Sequence, residues 1–370
     1  MSQIKSLSLS GFKTIKELQA LEFEKINIFI GANGSGKSNI VSFFEMIGFM
    51  MIDAFGNYVS NNGFASSMLY HGQKVTRDIE ADIKFHSSTG ESDYRFRVSH
   101  TVGDNFLFME EKIVHHKKGE TTPYEFPLSN AGYRETKLKE LYHSNQTVKY
   151  IKNLLSHIRV FHFHDTSKTA YIHQARPLES NSGLMSDGGN LAPFLYRLKD
   201  EQPKYYDRIL SFVQMVAPFF SDFILEPYGS SIQLKFKEVN SDLELGSFRL
   251  SDGTIRFICL ATLLLQPKRS LPKIIIIDEP ELGLHPVAID ILSEMIYIAS
   301  RNSQIFLTTQ SERLINSFEP KNIIVIDRKK DENRRFYSSF KKLDEESLSE
   351  WLAEYKISDI WNSNIIGGRP

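Results

Sequence analysis

Residues Gly31 to Ser38 read "GANGSGKS", and far downstream "KIIIIDEPELGLHP", Lys273 to Pro286, sets Asp278 and Glu279 side by side at the end of four isoleucines. The first stretch fits G-x-x-x-x-G-K-[ST], in which glycines let the backbone curl so that successive N–H groups face phosphate oxygens. In that reading Gly31, Ala32, Asn33, Gly34, Ser35 and Gly36 form the cradle, Lys37 brings a point charge to the β- and γ-phosphates, and Ser38 offers a hydroxyl to Mg2+. Phosphoryl transfer also needs a carboxylate on the metal and a group that orients the attacking water. Asp278 suits the metal, directly or through a water, and Glu279 suits the general base. Adjacent carboxylates repel, but here one is screened by the cation while the other faces the water. The phosphates of a nucleotide and Mg2+ are therefore the expected ligands.

Such residues need elements to position them. A phosphate loop sits between a strand and a helix, and "INIFIG" and the apolar-rich "NIVSFFEMIGFMM" supply both. The isoleucine run has no alternation, so both its faces must be covered, as in a central parallel strand. Ligands bind beyond the carboxyl ends of such strands, which is where the two acids lie. "IKSLSLSGF" alternates as a first strand, and "TRDIEADIKFHSS" to "FLFMEEKIVHHKKG" reads as an antiparallel subsheet. Glu135 to Ser156 is expected to be helical, and "HIRVFHFHDTS" to be a strand with a polar end. "DGGNLAPFLYRLKDEQPKYYDRILSFVQMVAPFF" reads as two helices broken at Gln202-Pro203. After Phe248 the α/β order resumes. "AIDILSEMIYIAS" puts Ala288, Ile291, Leu292, Met295, Ile296 and Ala299 on one helical face, and "QIFLTTQS" and "NIIVIDRKK" are further core strands. The charge cluster "RKKDENRR" is expected at a solvated hairpin tip. These divisions give an N-terminal lobe over 1–134, a helical insertion region over 135–247 and a C-terminal lobe over 248–370.

A third chemical element is "LSDGTIRFICLATLLL", a helix apolar nearly all round and therefore buried. Ser251 and Gly253 at its start make a second anion site. Two γ-phosphate-type sites in one chain suggest that they meet across a C2 dimer, each subunit's Ser251 closing the other's pocket. "HFHD" places His162 and His164 on one strand face with Asp165 beside them, a spacing that resembles metallohydrolase sites. With no further His/Asp set in matching context, a polar strand end lining the nucleotide cleft is the preferred reading.

Composition sets the outer bounds. The chain has 370 residues, 41% of them hydrophobic and 24% charged, with a net charge of −1. No global field draws it to nucleic acid or anionic membrane, although "HHKK" and "RKKDENRR" leave nucleic acid open as a partner through local patches. The N-terminal residues lack the apolar core of a signal peptide, and "FICLATLLL" is too short to span a bilayer. The single cysteine, Cys259, reads as a buried hydrophobe. A cytoplasmic protein without membrane contact is expected. Trp361, Ile365 and Ile366 near the end of the chain either fold back on the core or anchor a partner, with Gly367 and Gly368 letting the backbone lie close.

The order of phosphate loop, "LSDGT", "IIIIDEPELGLHP" and "TTQS" resembles the ABC-type ATPase head of the RecF/SMC/OLD group. It is most similar to stand-alone prokaryotic AAA-type (ABC-like) ATPases found beside phage-defence and toxin–antitoxin effectors, and "HFHDTS" and "WNSNIIGGRP" extend the likeness over most of the chain. The resemblance implies an α/β ABC-type P-loop ATPase head: a mixed, largely parallel core sheet with an antiparallel subsheet and a helical insertion. It also implies an ATP-sandwiched homodimer or higher even oligomer and Mg2+-dependent hydrolysis. Gly31 to Ser38 would be Walker A, Leu250 to Thr254 the signature, Asp278 and Glu279 Walker B with its catalytic glutamate, and Pro280 to His285 the D-loop. Lys13 in "GFKT" would approach the nucleotide. The sequence departs from the cassette pattern at Asp252 and Thr254, where many carry Gly and Gln, and at Gln310, which replaces the switch histidine. An amide can hydrogen-bond a γ-phosphate but cannot carry a proton, so turnover is expected to be slow, with Glu279 and Gln310 as the catalytic pair. For the Q-loop glutamine, Gln73 and Gln174 both remain candidates, and "HFHD" ends a strand at a suitable position. The leading expectation is a switch ATPase controlling a separate nuclease or toxin effector in antiphage defence. A RecF-like DNA-repair ATPase is the alternative, and a transporter motor the weakest.

Overall fold

A computed structural model describes residues 3–87, 90–120, 122–128 and 131–369. In it Ile274, Ile275, Ile276 and Ile277 are each at most 1% exposed, yet they enter two different cores. Ile274 and Ile276 pack with Phe29, Phe44 and Phe306, whereas Ile275 and Ile277 pack with Ile28, Leu260 and Leu292. The strand is a partition, and alternation is missing because both faces are interior.

In chain order, β1 (Gln3–Phe12) and β2 (Ile15–Glu22) form a hairpin, and β3 (Ile26–Ile30) runs into α1 (Lys37–Met51), α2 (Phe55–Asn61) and α3 (Phe64–Met68). Next come β4 (Asp78–Ser87), β5 (Gly90–Thr101), β6 (Asn105–Lys117), β7 (Tyr124–Pro127), α4 (Gln146–Leu155) and β8 (Ile158–Phe161). The middle of the chain holds β9 (Arg176–Pro177), α5 (Leu191–Glu201), α6 (Pro203–Val216), β10 (Phe220–Ile224), β11 (Ser231–Ile232), β12 (Lys235–Glu238) and β13 (Leu245–Gly246). Then follow α7 (Asp252–Leu265), β14 (Ile274–Asp278), α8 (Pro286–Ser300), β15 (Gln304–Thr309) and α9 (Glu312–Ile315). The hairpin β16 (Ile323–Lys330) and β17 (Phe336–Lys342) precedes α10 (Ser349–Leu352) and α11 (Ile357–Asn362).

The core sheet has the order β17-β16-β3-β15-β14-β8; its strands are parallel except the edge strand β17. One face carries α1, α4 and the antiparallel sheet β2-β1-β4-β5-β6-β7; the other carries α5 to α8 and α11. A buried amide joins the two sheets: Gln304 accepts from the Ile4 N–H at 2.8 Å and donates to the carbonyls of Ile4 and Glu24 at 2.8 and 2.9 Å. This is an α/β fold with a mixed core sheet, as the motif order implied. Among the described residues no helix is long and apolar enough to cross a membrane.

One local expectation changes, one is extended, and one open choice is resolved. The helix expected from Glu135 begins only after Asn145, whose side chain caps the Thr147 and Val148 N–H groups at 2.9 and 3.1 Å. Before it, residues 131–144 are turns held by buried Glu111, which accepts from Tyr94, Tyr133 and the Lys137 N–H as well as from Thr136. In the middle region the expected strand β8 joins the core sheet, and β10, β12 and β13 add a small sheet of their own. The chain end folds back: Trp361 is fully buried, and its Nε1 donates to the Gly368 carbonyl at 2.9 Å. Ile366 is buried too, while Ile365 is 40% exposed. A Cβ on Gly368 would lie 2.6 Å from Val325 Cγ1 and 3.6 Å from the Gly31 Cα, so the tail runs under the phosphate loop. The break at Gln202-Pro203, the buried face of α8, the "RKKDENRR" hairpin tip and the buried Cys259 all match the sequence reading.

Candidate functional site

The loop between β3 and α1 is built around absent side chains. Gly36 has φ +115°, and a Cβ there would lie 2.1 Å from Ser338 Oγ and 2.9 Å from Thr14 Oγ1. Those hydroxyls pin the loop from outside. Ser338 donates to the Ser35 carbonyl at 2.5 Å, it lies 2.6 Å from Thr14 Oγ1, and Asn39 Nδ2 donates to Thr14 at 2.6 Å. Helix α1 starts with no side-chain cap, in contrast to α4, α7, α8 and α9, capped by Asn145, Ser251, His285 and Ser311. Its first N–H groups are left for an anion. Ser38 lies exposed in that first turn, and the buried Ser35 hydroxyl has no partner. Lys37 is 6% exposed, and its Nζ donates to the Gly31 and Ala32 carbonyls at 2.7 and 3.1 Å. Burial holds its ammonium below the usual lysine value, opposed by the nearby Glu279, Asp278 and Glu281 carboxylates. These are the properties of a cradle for a polyphosphate with its cation.

The acids approach from the carboxyl end of β14. Asp278 pairs in register with Thr308 of β15, whose hydroxyl donates to one carboxylate oxygen and leaves the other open. Glu279 takes a left-handed backbone, φ +44°, with its N–H on the Thr308 carbonyl at 3.0 Å. That kink turns its side chain to Gln310, whose Nε2 donates to Glu279 Oε1 at 2.9 Å and to Asn33 Oδ1 at 2.7 Å. One amide thus links the phosphate loop to the second acid. Sequence reasoning placed Glu281 only within the Pro280–His285 D-loop stretch, with no role of its own. Burial raises its carboxyl above the ordinary range, although Thr309 Oγ1 donates to its Oε1 at 2.5 Å and the Gln310 N–H at 3.1 Å. It orients the β15 end that carries Gln310, while its other oxygen is buried without a partner.

The remaining expected residues divide. The Lys13 ammonium lies 5.6 Å from the centroid of the Phe12 ring, with Glu45 as its charged neighbour, and burial lowers its pKa. Its neighbour Thr14 makes the loop contact. Ser251 caps α7 by accepting from the Thr254 N–H at 3.2 Å, and its hydrogen bonds stay within that helix start. Gly253 is small for a local reason, since a Cβ would lie 2.3 Å from the Gly283 carbonyl in the D-loop of the same chain. Arg256, one turn on, donates to Phe163 O at 3.0 Å and to His164 O and Leu282 O at 2.9 Å each. It joins the start of α7, the D-loop and the "HFHD" segment in one rigid fork. Arg328 of the β16 strand was read as part of a solvated tip, yet its guanidinium is the atom group nearest Gly34, 4.0 Å from where a Cβ would stand. Thr14 ends the "GFKT" stretch read for Lys13, and no local motif gives Ser338 or Arg328 a place at the loop. Only the pairing of β16 with β3 and of β17 with β16 brings Ser338 and Arg328 there.

Comparison with known proteins agrees with this architecture. A stretch of 145 residues is 38% identical to Structural maintenance of chromosomes protein 3 of Arabidopsis thaliana, taking in 35% of this chain and 11% of that protein, so the chain spans little more than a tenth of the relative's length. The fold is shared with an Smc head bound to the C-winged helix domain of ScpA: TM-score 0.60, 16% identity, 93% of this chain and 99% of the other. An Smc head with an extended coiled coil, bound to the C-terminal domain of ScpA derived from Pyrococcus furiosus, gives TM-score 0.60 and 16% identity over 96% of this chain and 99% of that one. The SMC head domain from Thermotoga maritima gives 0.50 and 12% over 92% and 99%. Residues 26–316 match the family described as "AAA domain, putative AbiEii toxin, Type IV TA system". That span holds the phosphate loop, the acids and Gln310, and the chain belongs to this AAA-domain family with an SMC-head-like ATPase fold.

Proposed function

We propose that this chain binds ATP with Mg2+ between Gly31–Ser38 and the β14 end, hydrolyses it slowly, and uses the cycle as a switch on a separate effector. The observation that carries the reading is the Gln310 amide, which bonds Asn33 of the loop and Glu279 at 2.7 and 2.9 Å. A γ-phosphate entering beside Asn33 meets the base and its positioning group together. Ser38 and the free Asp278 oxygen would hold the cation, which supplies charge neutralisation at the phosphates. Glu279 would take the proton of the attacking water, and Lys37, by exchanging its carbonyl partners for phosphate oxygens, would hold the transferring group. Gln310 orients without shuttling a proton, which supports slow turnover.

Dimerisation is part of the proposal because Ser251 makes no hydrogen bond to the loop of its own chain. A second copy would bring its Ser251 and Gly253 to the open side. The effector, a nuclease or toxin subunit in antiphage defence, rests on the family likeness. Glu279→Gln should keep ATP binding by titration calorimetry, lose hydrolysis by about 100-fold or more in a phosphate-release assay, and accumulate a dimer with ATP; wild-type rates would sink the assignment. Lys37→Ala should instead lose ATP affinity itself.

A further inference from the structure

His162, His164 and Asp278 each offer one ligand atom, and these atoms all lie within 4.8 Å of one another. Their meeting is a consequence of register. Strand β8 pairs parallel with β14, Ile277 opposite Phe161, so the next residues along, Asp278 at the end of β14 and His162 just beyond β8, come side by side. The segment then stays extended. Phe161 and Phe163 turn into the core, and the two histidines take the opposite face, their rings 6.1 Å apart. Asp165, the acid that sequence places beside them, turns away to accept from the Ser167 N–H and hydroxyl at 3.0 and 2.7 Å. Asp278 stands in its place.

Three further features make this a built arrangement. The Arg256 fork holds the backbone on both sides of His164. The Thr308 hydroxyl fixes one oxygen of Asp278 and leaves the other for a cation, the outer-shell orientation that metal carboxylates require. Among the described residues, neither imidazole hydrogen-bonds to a protein atom. The two histidines, whose rings contact each other, thus share one carboxylate as a neighbour.

We infer that His162, His164 and Asp278 form a binding site for one divalent first-row transition-metal ion at the edge of the nucleotide cleft. Imidazole nitrogen favours borderline ions such as Co2+, Ni2+ or Zn2+ over Mg2+, which prefers an all-oxygen shell. Small side-chain rotations suffice to bring the three ligand atoms to about 2.1 Å from a common centre. Two nitrogens and one oxygen leave half of an octahedral shell for water and phosphate oxygens. The inference rests on the ATP reading and adds to it a second cation site, which would share the free Asp278 oxygen with the Mg2+ position and compete with it, and which exists without nucleotide.

The full chain, free of nucleotide, is titrated with Co2+ while visible absorption and calorimetry are followed. One equivalent should bind with a nitrogen-ligand spectrum, and His162→Ala and His164→Ala should each weaken it at least tenfold with melting temperature unchanged. Lys37→Ala should bind Co2+ as wild type does, so a failure of ATP binding and a failure of the metal site remain separable. With ATP present, His164→Gln should lower the ratio of Co2+-supported to Mg2+-supported phosphate release. Equal Co2+ binding by wild type and both alanine variants, or no binding by wild type, overturns the site.

Discussion

Gln310 spans the phosphate loop and the second acid with a single amide. Its Nε2 has two acceptors, Asn33 and Glu279, and both are on groups that must move when phosphate arrives. Removing the amide leaves Glu279 free to rotate, so the water and the base lose their common reference. Gln310→Ala should lower the hydrolysis rate about tenfold or more with little change in ATP affinity, because orientation rather than binding is lost. Single-turnover phosphate release set against calorimetric affinity checks it; an equal fall in both would place Gln310 in binding alone. At this scale the sequence was most legible where the chemistry is contiguous. Gly31–Ser38 and Asp278-Glu279 lie in unbroken motifs, and the structure brings them together. The Q-loop was not legible, since neither Gln73 nor Gln174 hydrogen-bonds to the loop or to the acids, and Gln174 donates to the Thr169 carbonyl at 2.7 Å. The His162–Asp278 proximity was hidden because 116 positions separate the two, and only the β8–β14 register joins them.

Helix α7 shows how one element serves two ends. Its start presents Ser251, while Ile255, Ile258, Leu260 and Leu264 are at most 1% exposed. Ser251→Arg should leave ATP binding to the monomer within about threefold of wild type, yet prevent the ATP-dependent dimer in the Glu279→Gln background, since a long cation would occupy the space of the incoming phosphate. Sedimentation velocity decides it: an undiminished dimer means that Ser251 does not face a second chain. Further along, Cys259 is buried and its thiol is pushed far above the ordinary value by desolvation. The thiolate is the reactive form, so Cys259 should resist thiol-specific reagents in the native protein and react only as fast as the molecule opens. Rapid labelling in native buffer would contradict the packing of α7. Its all-round apolar sequence made this helix predictable. The stretch from Glu135 to Asn145 was not, because its order comes from distant Glu111 and from the Glu135 carboxylate on the Phe55 and Gly56 N–H groups at 2.9 and 3.0 Å.

For the whole molecule, the tail, the hairpin β16–β17 and the phosphate loop form one packed unit. The tail's glycines earn their place by closeness to Val325 and Gly31, and Trp361 closes the core behind them. Trp361→Ala should cost about 3–5 kcal/mol and lower the melting temperature by on the order of 5 °C, with ATP affinity falling as the loop loses its floor. Differential scanning calorimetry with and without ATP measures both, and an unchanged melting temperature would show the tail to be dispensable. The larger architecture followed from the order of motifs. What the order could not supply was the face to which each strand's neighbours belong, because burial on both sides erases the pattern that would tell them apart.

That erasure has a consequence for β14. Identical letters carry no address: sliding Ile274–Ile277 by one place sets isoleucine where isoleucine was, and the two cores would register almost no difference. Alignment must be written at the ends. Lys273 is exposed at one end, and Asp278 at the other finds the Thr308 hydroxyl. A slip in one direction buries the lysine; in the other it strands the acid away from its donor. The carboxylate that faces the cleft is thus also the chain's ruler, marking where the strand must stop.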